Sequence, residues 1–390
     1  MNHKVIIIGA GISGLALAIF LKKTGIECAV YENFPYKRVA GSSFRINKSG
    51  VHVMKELGIE DQVQENSHSA DRMRILTTDD IEIASINLMQ NSVFSRRSIY
   101  MQRSDLVEIL MRQAELVGVE IHYNKKLTYF TQDASNITAY FEDGHQETGT
   151  LLVGADGLHS TVRNQLFPSH VLSYAKSWAL YGIASFKDMN SDPIRQLMEG
   201  NELFYFTQNA NFLASKSHPT HELNLSWQAS GHQERKRSKE EFDFRNLDEI
   251  KSDLIQQYGE HGALSEIIQN SVQIIPKQIY CVEPIPSWSK GRAVVIGDAA
   301  HTINPNTGYG CSVALEDAMY LALMLQKHHY ADALYYLEAD RKERIRAIQS
   351  SLDIFDVSKG FDFSSGFDIG LFSGSKIDAD YTIHWETEHQ

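Results

Sequence analysis

The sequence predicts an α/β fold: a parallel-stranded domain flanked by helices, a mostly antiparallel β-sheet domain inserted into it, and helices at the C-terminal end. Three observations predict it. The apolar run Lys4 to Ile8 leads directly into Gly9-Ala10-Gly11-Ile12-Ser13-Gly14. Two further strand-then-glycine segments follow far along the chain, Leu151-Leu152-Val153-Gly154-Ala155-Asp156-Gly157 and Ala293-Val294-Val295-Ile296-Gly297-Asp298-Ala299-Ala300-His301. Between them, from about Tyr174 to Tyr280, apolar and polar residues alternate, the period of a sheet with one covered face.

The run ending at Ile8 is short and β-branched, as a buried parallel strand is. Gly9, Gly11 and Gly14 keep the G-x-G-x-x-G spacing. Gly9 permits the tight turn out of the strand. Gly11 lets backbone approach a pyrophosphate, and Gly14 lets the next helix, Ser13 to Thr24, pack on the strand. The N-terminus of that helix offers free N–H groups and the positive end of its dipole to an anion. A second strand through Val30 ends at Glu32, whose carboxylate accepts the ribose hydroxyls of an adenosine and repels a phosphate there. This is a Rossmann-like dinucleotide site, and by itself it leaves FAD and NAD open.

The remaining elements follow from periodicity and breakers. A helix from Ser49 stops at Gly58, and strand-like runs cover 73–76 and 81–86. Arg103 opens a helix reaching Gly118, with Leu106, Ile109, Leu110 and Ala114 on its inner face. Strands at 119–123 and 137–142 precede the second glycine segment. The inserted sheet is expected at 177–186, 202–206, 211–215 and 222–228, followed by a solvated charged run, His232 to Glu241, and a helix at 247–258. Helices at 312–326 and 332–350 close the chain before a tail with a brief echo, Gly360-Phe361-Asp362-Phe363 and Gly366-Phe367-Asp368-Ile369. The expected division is residues 1–70, 100–173 and 281–330 for a discontinuous cofactor domain, 71–99 and 174–280 for the substrate-binding sheet domain, and 331–390 for the C-terminal helix and tail.

Composition narrows the partners. At 390 residues, 43% apolar and 22% charged, the chain is an ordinary globular protein long enough for two domains. A net charge of −12 argues against nucleic acid and against anionic membrane surfaces. Cys28, Cys281 and Cys311 lie far apart without metal-ligand spacing, which fits a reducing compartment. The apolar stretch Val313 to Leu325 is interrupted by Glu316 and Asp317, so no run is long enough to span a bilayer. The expectation is a cytoplasmic monomer or homodimer that handles a small molecule, with no metal.

With the three segments in this order and spacing, the chain resembles the single-component aromatic flavoprotein monooxygenases, the para-hydroxybenzoate hydroxylase family. The resemblance runs from Lys4 to about Arg346 and includes Tyr336-Leu337-Glu338-Ala339-Asp340-Arg341, similar to that family's Y-E-x-x-R segment. It implies FAD as cofactor and NAD(P)H as co-substrate. Gly9, Gly11 and Gly14 would hold the pyrophosphate and Glu32 the adenosine ribose. Arg103 matches an arginine that contacts the cofactor, and Asp156 the aspartate of a D-G motif implicated in FAD and NAD(P)H binding. Asp298 matches an aspartate that binds the ribityl chain, and Pro305, Gly308 and Gly310 match a P-x-x-G-x-G loop beside the isoalloxazine. Two departures stand out. Asn33 follows Glu32 where many members carry arginine, a charge that Arg38 would replace, and Tyr309 occupies a position that is usually glutamine.

A helix starting after Gly310 would turn its free N–H groups toward the flavin edge that becomes negative on reduction. The resemblance implies that NAD(P)H reduces FAD, that O2 then forms a flavin C4a-hydroperoxide, and that the protein shields this species and aims it at an aromatic or polyketide-like substrate. The chemistry is the flavin's, and no catalytic side chain is assigned. Trp178, Phe186, Phe204, Phe206, Phe212 and Trp227 suit either a pocket for a flat substrate or a plain sheet core. Tyr181, Tyr205, His218 and His221 are the available titratable groups of the insert, His159 and His301 read as structural, and Arg45 reads equally as a surface residue or as one reaching the flavin or an acidic substrate. The alternatives are a tetracycline-inactivating monooxygenase, which would confer antibiotic resistance, and a non-oxygenating FAD-binding reductase or sensor. A flavin-dependent halogenase would need a W-x-W-x-I-P signature, which is absent.

Overall fold

The computed structural model describes residues 4–35, 43–88, 98–185, 187, 189, 192–206, 210–220, 225–236, 246–259, 261–303, 308–351 and 381–385. Five parallel strands lie side by side in the order Ala293–Val295, Leu151–Gly154, Lys4–Ile8, Glu27–Tyr31 and Glu120–His122, with Ser289–Lys290 antiparallel at one edge. Val5 to Ile8 are all buried, packed between the helix that follows them, Ile12–Lys23, and a three-stranded sheet formed by residues 127–149. From Lys4–Ile8 the chain moves first to one side and only much later to the other. Such a reversal of strand order opens a crevice at the carboxyl ends of the strands.

Helix Ile12–Lys23 follows the first strand and is buried on every side from Ile12 to Leu21. It packs between the sheet and helix Gly310–Lys327, itself buried over most of Ser312 to Leu323. Apolar residues all round a helix are what such a position requires. Helix Lys48–Leu57 ends at Gly58, whose φ of +81° is the left-handed cap that a glycine adopts without strain.

A second, seven-stranded sheet runs Ser271–Val282, Leu172–Ala184, Leu225–His232, Ala210–Lys216, Asn201–Phe206, Arg72–Leu76, Glu82–Asn87. Every neighbouring pair is antiparallel except Asn201–Phe206 with Arg72–Leu76. The strand at 271–282 and the helices Asp192–Met198 and Gly262–Gln269 were not expected from the sequence. Pro276 and the isolated polar residues hide the strand's period, yet it pairs along most of Leu172–Ala184.

Register divides the residues of this sheet between two faces. Tyr181, Gln228, Leu213, Phe204 and Ile75 are successive cross-strand partners and form one row. Ile183, Ser226 and Ser215 form the next row on that face, and Glu202 and Met73 continue it. Phe204, Leu213, Met73 and Ile75 join the core of the cofactor-type sheet. The opposite face carries Trp227, Ala214, Leu203, Tyr205 and Phe212, which form a separate core with helices Leu247–Tyr258 and Gly262–Gln269. There the Phe212 ring stacks on Trp227 at 4.8 Å, and Trp227 lies so close to Gly182 that a Cβ at that glycine would fall 1.9 Å from the indole.

A small sheet, Ser43–Ile46, Ile99–Gln102 and Ser67–His68, lies against the inner face of the seven-stranded sheet: Ser43 Oγ is 2.5 Å from Ser226 Oγ. Leu127–Gln132, Ile137–Phe141 and Gln146–Gly149 form a further three-stranded sheet. The segment Tyr381 to Trp385 docks on the cofactor-type half. Trp385 lies 4.5 Å from Phe20 between ring centroids, and Tyr381 Oη donates to Asp340 Oδ1 at 2.6 Å. The glycine echo at 360–369 lies outside the described residues. Among the described residues no helix is long and apolar enough to cross a membrane, and no group of three or more His, Cys, Asp or Glu is placed to hold a metal.

Candidate cofactor and substrate site

The three glycine segments meet at the carboxyl edge of the parallel sheet. Ala155 N donates to Ile8 O at 2.8 Å, and Ile296 N donates to Gly154 O at 3.0 Å. Contact is too close for side chains: a Cβ at Gly9, where φ is +105°, would fall 2.5 Å from Ala155 O, and one at Gly14 would fall 2.0 Å from Gly9 O. Gly11 is different. Nothing lies within 4 Å of the place its Cβ would take, so no protein contact demands glycine there. The first turn of helix Ile12–Lys23 also has no side-chain cap and no acidic residue. Open space before uncapped N–H groups is the cradle a pyrophosphate needs. The residues therefore fit the dinucleotide that the spacing implied.

Glu32 closes one side of this cradle. Its carboxylate accepts from Ala10 N at 2.7 Å and from Phe34 N at 2.9 Å, fixing the glycine turn against the end of the second strand. Each oxygen keeps a further lone pair for a ribose hydroxyl. Arg38 lies outside the described residues.

Asp156 caps helix Thr161–Leu166, accepting from Thr161 N at 2.8 Å and Val162 N at 3.1 Å through Oδ2, while Oδ1 is buried and takes no hydrogen bond. Burial pushes its carboxyl up, against the pull of those N–H groups. Within the same segment, Arg163 is buried and bridges two of the three motifs: Nη2 donates to Leu158 O at 2.6 Å and Nη1 to Ala299 O at 3.1 Å. His159 is exposed.

Asp298 sits in the one-turn helix Gly297–Ala299, which is capped by Ile296. Its side chain is reached by solvent although protein surrounds it, the situation of a residue lining a cleft. The surrounding protein pushes the carboxyl up, while Arg103 and His301 oppose the rise. Arg103 opens helix Arg103–Leu116 and is exposed. Its charge also acts on the Cys311 thiol and the Tyr181 phenol, both of which burial pushes up to about 12. Arg103 is thus within electrostatic reach of the third glycine segment, the start of helix Gly310–Lys327 and the inner face of the seven-stranded sheet.

Gly308 has φ +67° and rests on Arg45, with 3.1 Å left between a Cβ there and Arg45 Cβ. Asn47 Nδ2 donates to Gly308 O at 3.2 Å. Gly310 faces open space where helix Gly310–Lys327 begins, again without a side-chain cap. Pro305 lies outside the described residues. Tyr309 is buried in the larger core. His301 Nε2 lies 2.7 Å from Asp317 Oδ2.

Of the aromatic residues, Phe204 and Tyr181 face the cofactor-type sheet, whereas Phe212, Trp227, Tyr205 and Trp178 belong to the far core. His218 contacts Asn66 and Thr220, and His221 and Phe186 lie outside the described residues. Glu202 was not anticipated. It is buried on the inner face, 3.6 Å from Arg45 Nη1, beside Tyr100. Burial pushes its carboxyl up and Arg45 opposes that. A charged residue inside the apolar run Asn201-Glu202-Leu203-Phe204-Tyr205 was the available signal.

Comparison with known proteins agrees with this geometry. Residues 2–350 match the FAD binding domain family. The chain is 26% identical over 375 residues to 6-hydroxynicotinate 3-monooxygenase of Pseudomonas fluorescens, covering 89% of this chain and 90% of that protein. The fold is shared with 2,6-dihydroxypyridine-3-hydroxylase of Arthrobacter nicotinovorans, at a TM-score of 0.81, 20% identity and coverage of 94% and 96%. It is also shared with the tetracycline destructase Tet(51), at a TM-score of 0.70, 20% identity and coverage of 97% and 96%. The chain thus belongs to the FAD binding domain family and is an oxidoreductase, an FAD-dependent monooxygenase.

Proposed function

We propose that the chain uses NAD(P)H and O2 to hydroxylate a small, flat aromatic molecule held between the carboxyl edge of the parallel sheet and the inner face of the seven-stranded sheet. The position of Arg103 carries this reading, since one exposed guanidinium acts on Asp298 and Cys311 of the cofactor half and on Tyr181 of the sheet. Gly9, Gly11 and Gly14 bind the pyrophosphate, and Glu32 the adenosine ribose. Asp298 and Arg103 hold the ribityl side, Gly308 and Gly310 border the flavin ring, and Asp156 keeps the second segment in place. FAD held there would supply the redox chemistry, hydride acceptance and O2 activation.

The side chains bind, orient and exclude water. Tyr181, with a phenol pushed up to about 12, stays protonated at neutral pH and donates a hydrogen bond instead of acting as a base. Cys311 likewise stays a thiol. Phe204, Leu213 and Ile183 supply an apolar wall for a ring. The relatives' named substrates, hydroxylated nitrogen heterocycles, suit such a wall. The test is the absorbance spectrum of the purified protein, followed by NADH and NADPH oxidation with hydroxypyridines, phenols and tetracyclines. Flavin bands with ring-stimulated oxidation and a product heavier by one oxygen atom are expected. Steady oxidation without an oxygenated product from any of these would overturn it.

A further inference from the structure

Arg45 and Glu202 form a buried ion pair at the seam between the glycine loop and the sheet. Their side chains are 12% and 1% exposed, and Nη1 to Oε1 is 3.6 Å. Arg45 belongs to strand Ser43–Ile46, directly opposite Tyr100. Gly308 rests on its Cβ, and Asn47, two residues on, holds the carbonyl of Gly308. Glu202 comes from the other side, on the face shared by Phe204 two residues along the same strand. The pair therefore lies next to the loop bordering the flavin and next to the wall proposed for the ring.

Its geometry is not that of a stabilising pair. Burying two charges is repaid only by close, well-directed hydrogen bonds. Here the closest approach is longer than a hydrogen bond, and Glu202 Oε1 takes none at all. That oxygen is open to a donor, with the Tyr100 phenol beside it. At the same time the carboxylate already occupies the place opposite Arg45 that an anionic ligand would need.

We propose that Glu202 is a specificity-determining residue that accepts a hydrogen bond from a ring O–H or N–H and keeps Arg45 from pairing with a ring carboxylate, so that this chain takes uncharged hydroxylated heterocycles and rejects their carboxylated counterparts. This rests on the monooxygenase reading above and names the substrate class of that site. A ring carrying a carboxylate would meet the charge of Glu202, and could reach Arg45 only by displacing it. A ring with a hydroxyl or N–H offers Oε1 a donor of its own.

Two rings that differ only in the carboxylate test it: 6-hydroxynicotinate and 2-hydroxypyridine. Each is titrated into the FAD-loaded protein, and binding is read as a perturbation of the flavin absorbance, without turnover. Wild type is expected to bind 2-hydroxypyridine at least about tenfold more tightly, and Glu202→Gln, which removes the negative charge opposite Arg45, to reverse the order. Equal binding of the two rings by wild type, tighter binding of 6-hydroxynicotinate, or no perturbation by either ring in a protein that retains its flavin would overturn the proposal. So would a Glu202→Gln protein that holds FAD and shows the wild-type ratio. The wild-type comparison decides even where the variant does not fold. Failure of the broader reading looks different, because it appears as missing flavin bands or as oxidation that yields no oxygenated product.

Discussion

Arg163 is hydrogen-bonded to the carbonyl of Ala299, across 136 positions of sequence. The contact joins the second glycine segment to the third beneath the cleft. A buried guanidinium can do this because its fork serves two carbonyls at once, here Leu158 and Ala299. Arg163→Met keeps the apolar stem and loses both bonds. The expected cost is about 2 kcal/mol of stability, with a drop in FAD affinity of about tenfold as the turn bearing Asp298 loosens. Urea unfolding and FAD titration of the same variant check both.

Gly14 and Gly11 separate what the fold needs from what the cofactor needs. Gly14→Ala forces a methyl to within 2.0 Å of Gly9 O, a backbone atom that has nowhere to go. It is expected to destabilise the cofactor-free protein by about 1–3 kcal/mol. Gly11→Ala meets no protein atom within 4 Å. Its methyl stands where the pyrophosphate is proposed to bind, so the FAD-free melting temperature should hold while FAD affinity falls at least about tenfold. Equal effects of the two changes on FAD-free stability would contradict this division.

Asp317 governs the acid limb of stability. Although burial opposes it, His301 and Arg341 hold the carboxyl of Asp317 below the usual carboxylate range, and Arg341 and Arg344 do the same for Glu316. A carboxylate with a depressed folded-state pKa contributes stability that is present above its unfolded pKa and is lost as pH falls through the folded one. Asp317→Asn should therefore cost about 3 kcal/mol near neutral pH and flatten the loss of stability below the ordinary carboxylate range. Urea midpoints measured across that pH range give the answer.

The segment Tyr381 to Trp385 acts as a clasp. Trp385 packs on Phe20 near the end of helix Ile12–Lys23, and His52 Nε2 lies 3.2 Å from Ile383 O. Trp385→Ala should lower stability by about 1–2 kcal/mol through lost apolar burial. FAD should be retained, because Phe20 lies more than two turns along the helix from Gly11. Loss of FAD from a folded Trp385→Ala protein would show that the clasp reaches the site.

Much of the cofactor half was legible because its signals are local. A β-branched run, three glycines at fixed spacing and an acidic residue after the next strand are each imposed by the turn they form. The apolar faces of the helices at 103–116 and 247–258 were likewise readable from period alone. What was not legible depends on pairing between distant strands. No local rule says that Glu202 meets Arg45, or that Trp227 and Phe212 turn away from the cleft while Phe204 turns toward it. A one-residue change of register would exchange those faces. Asp156 shows the limit in another form, since the residue read from its motif also has an ordinary task as a helix cap.

The neighbourhood of Lys4–Ile8 has a consequence for synthesis. Its partner Leu151–Gly154 leaves the ribosome long after it, and Ala293–Val295, which covers Leu151–Gly154, later still. A nascent chain thus carries an apolar strand with a bare edge through most of translation, the state in which wrong pairings and aggregation compete. Pairings this distant also form slowly once the chain is free. Yield in cells should then respond to growth temperature and to chaperone supply more than the stability of the finished fold would suggest.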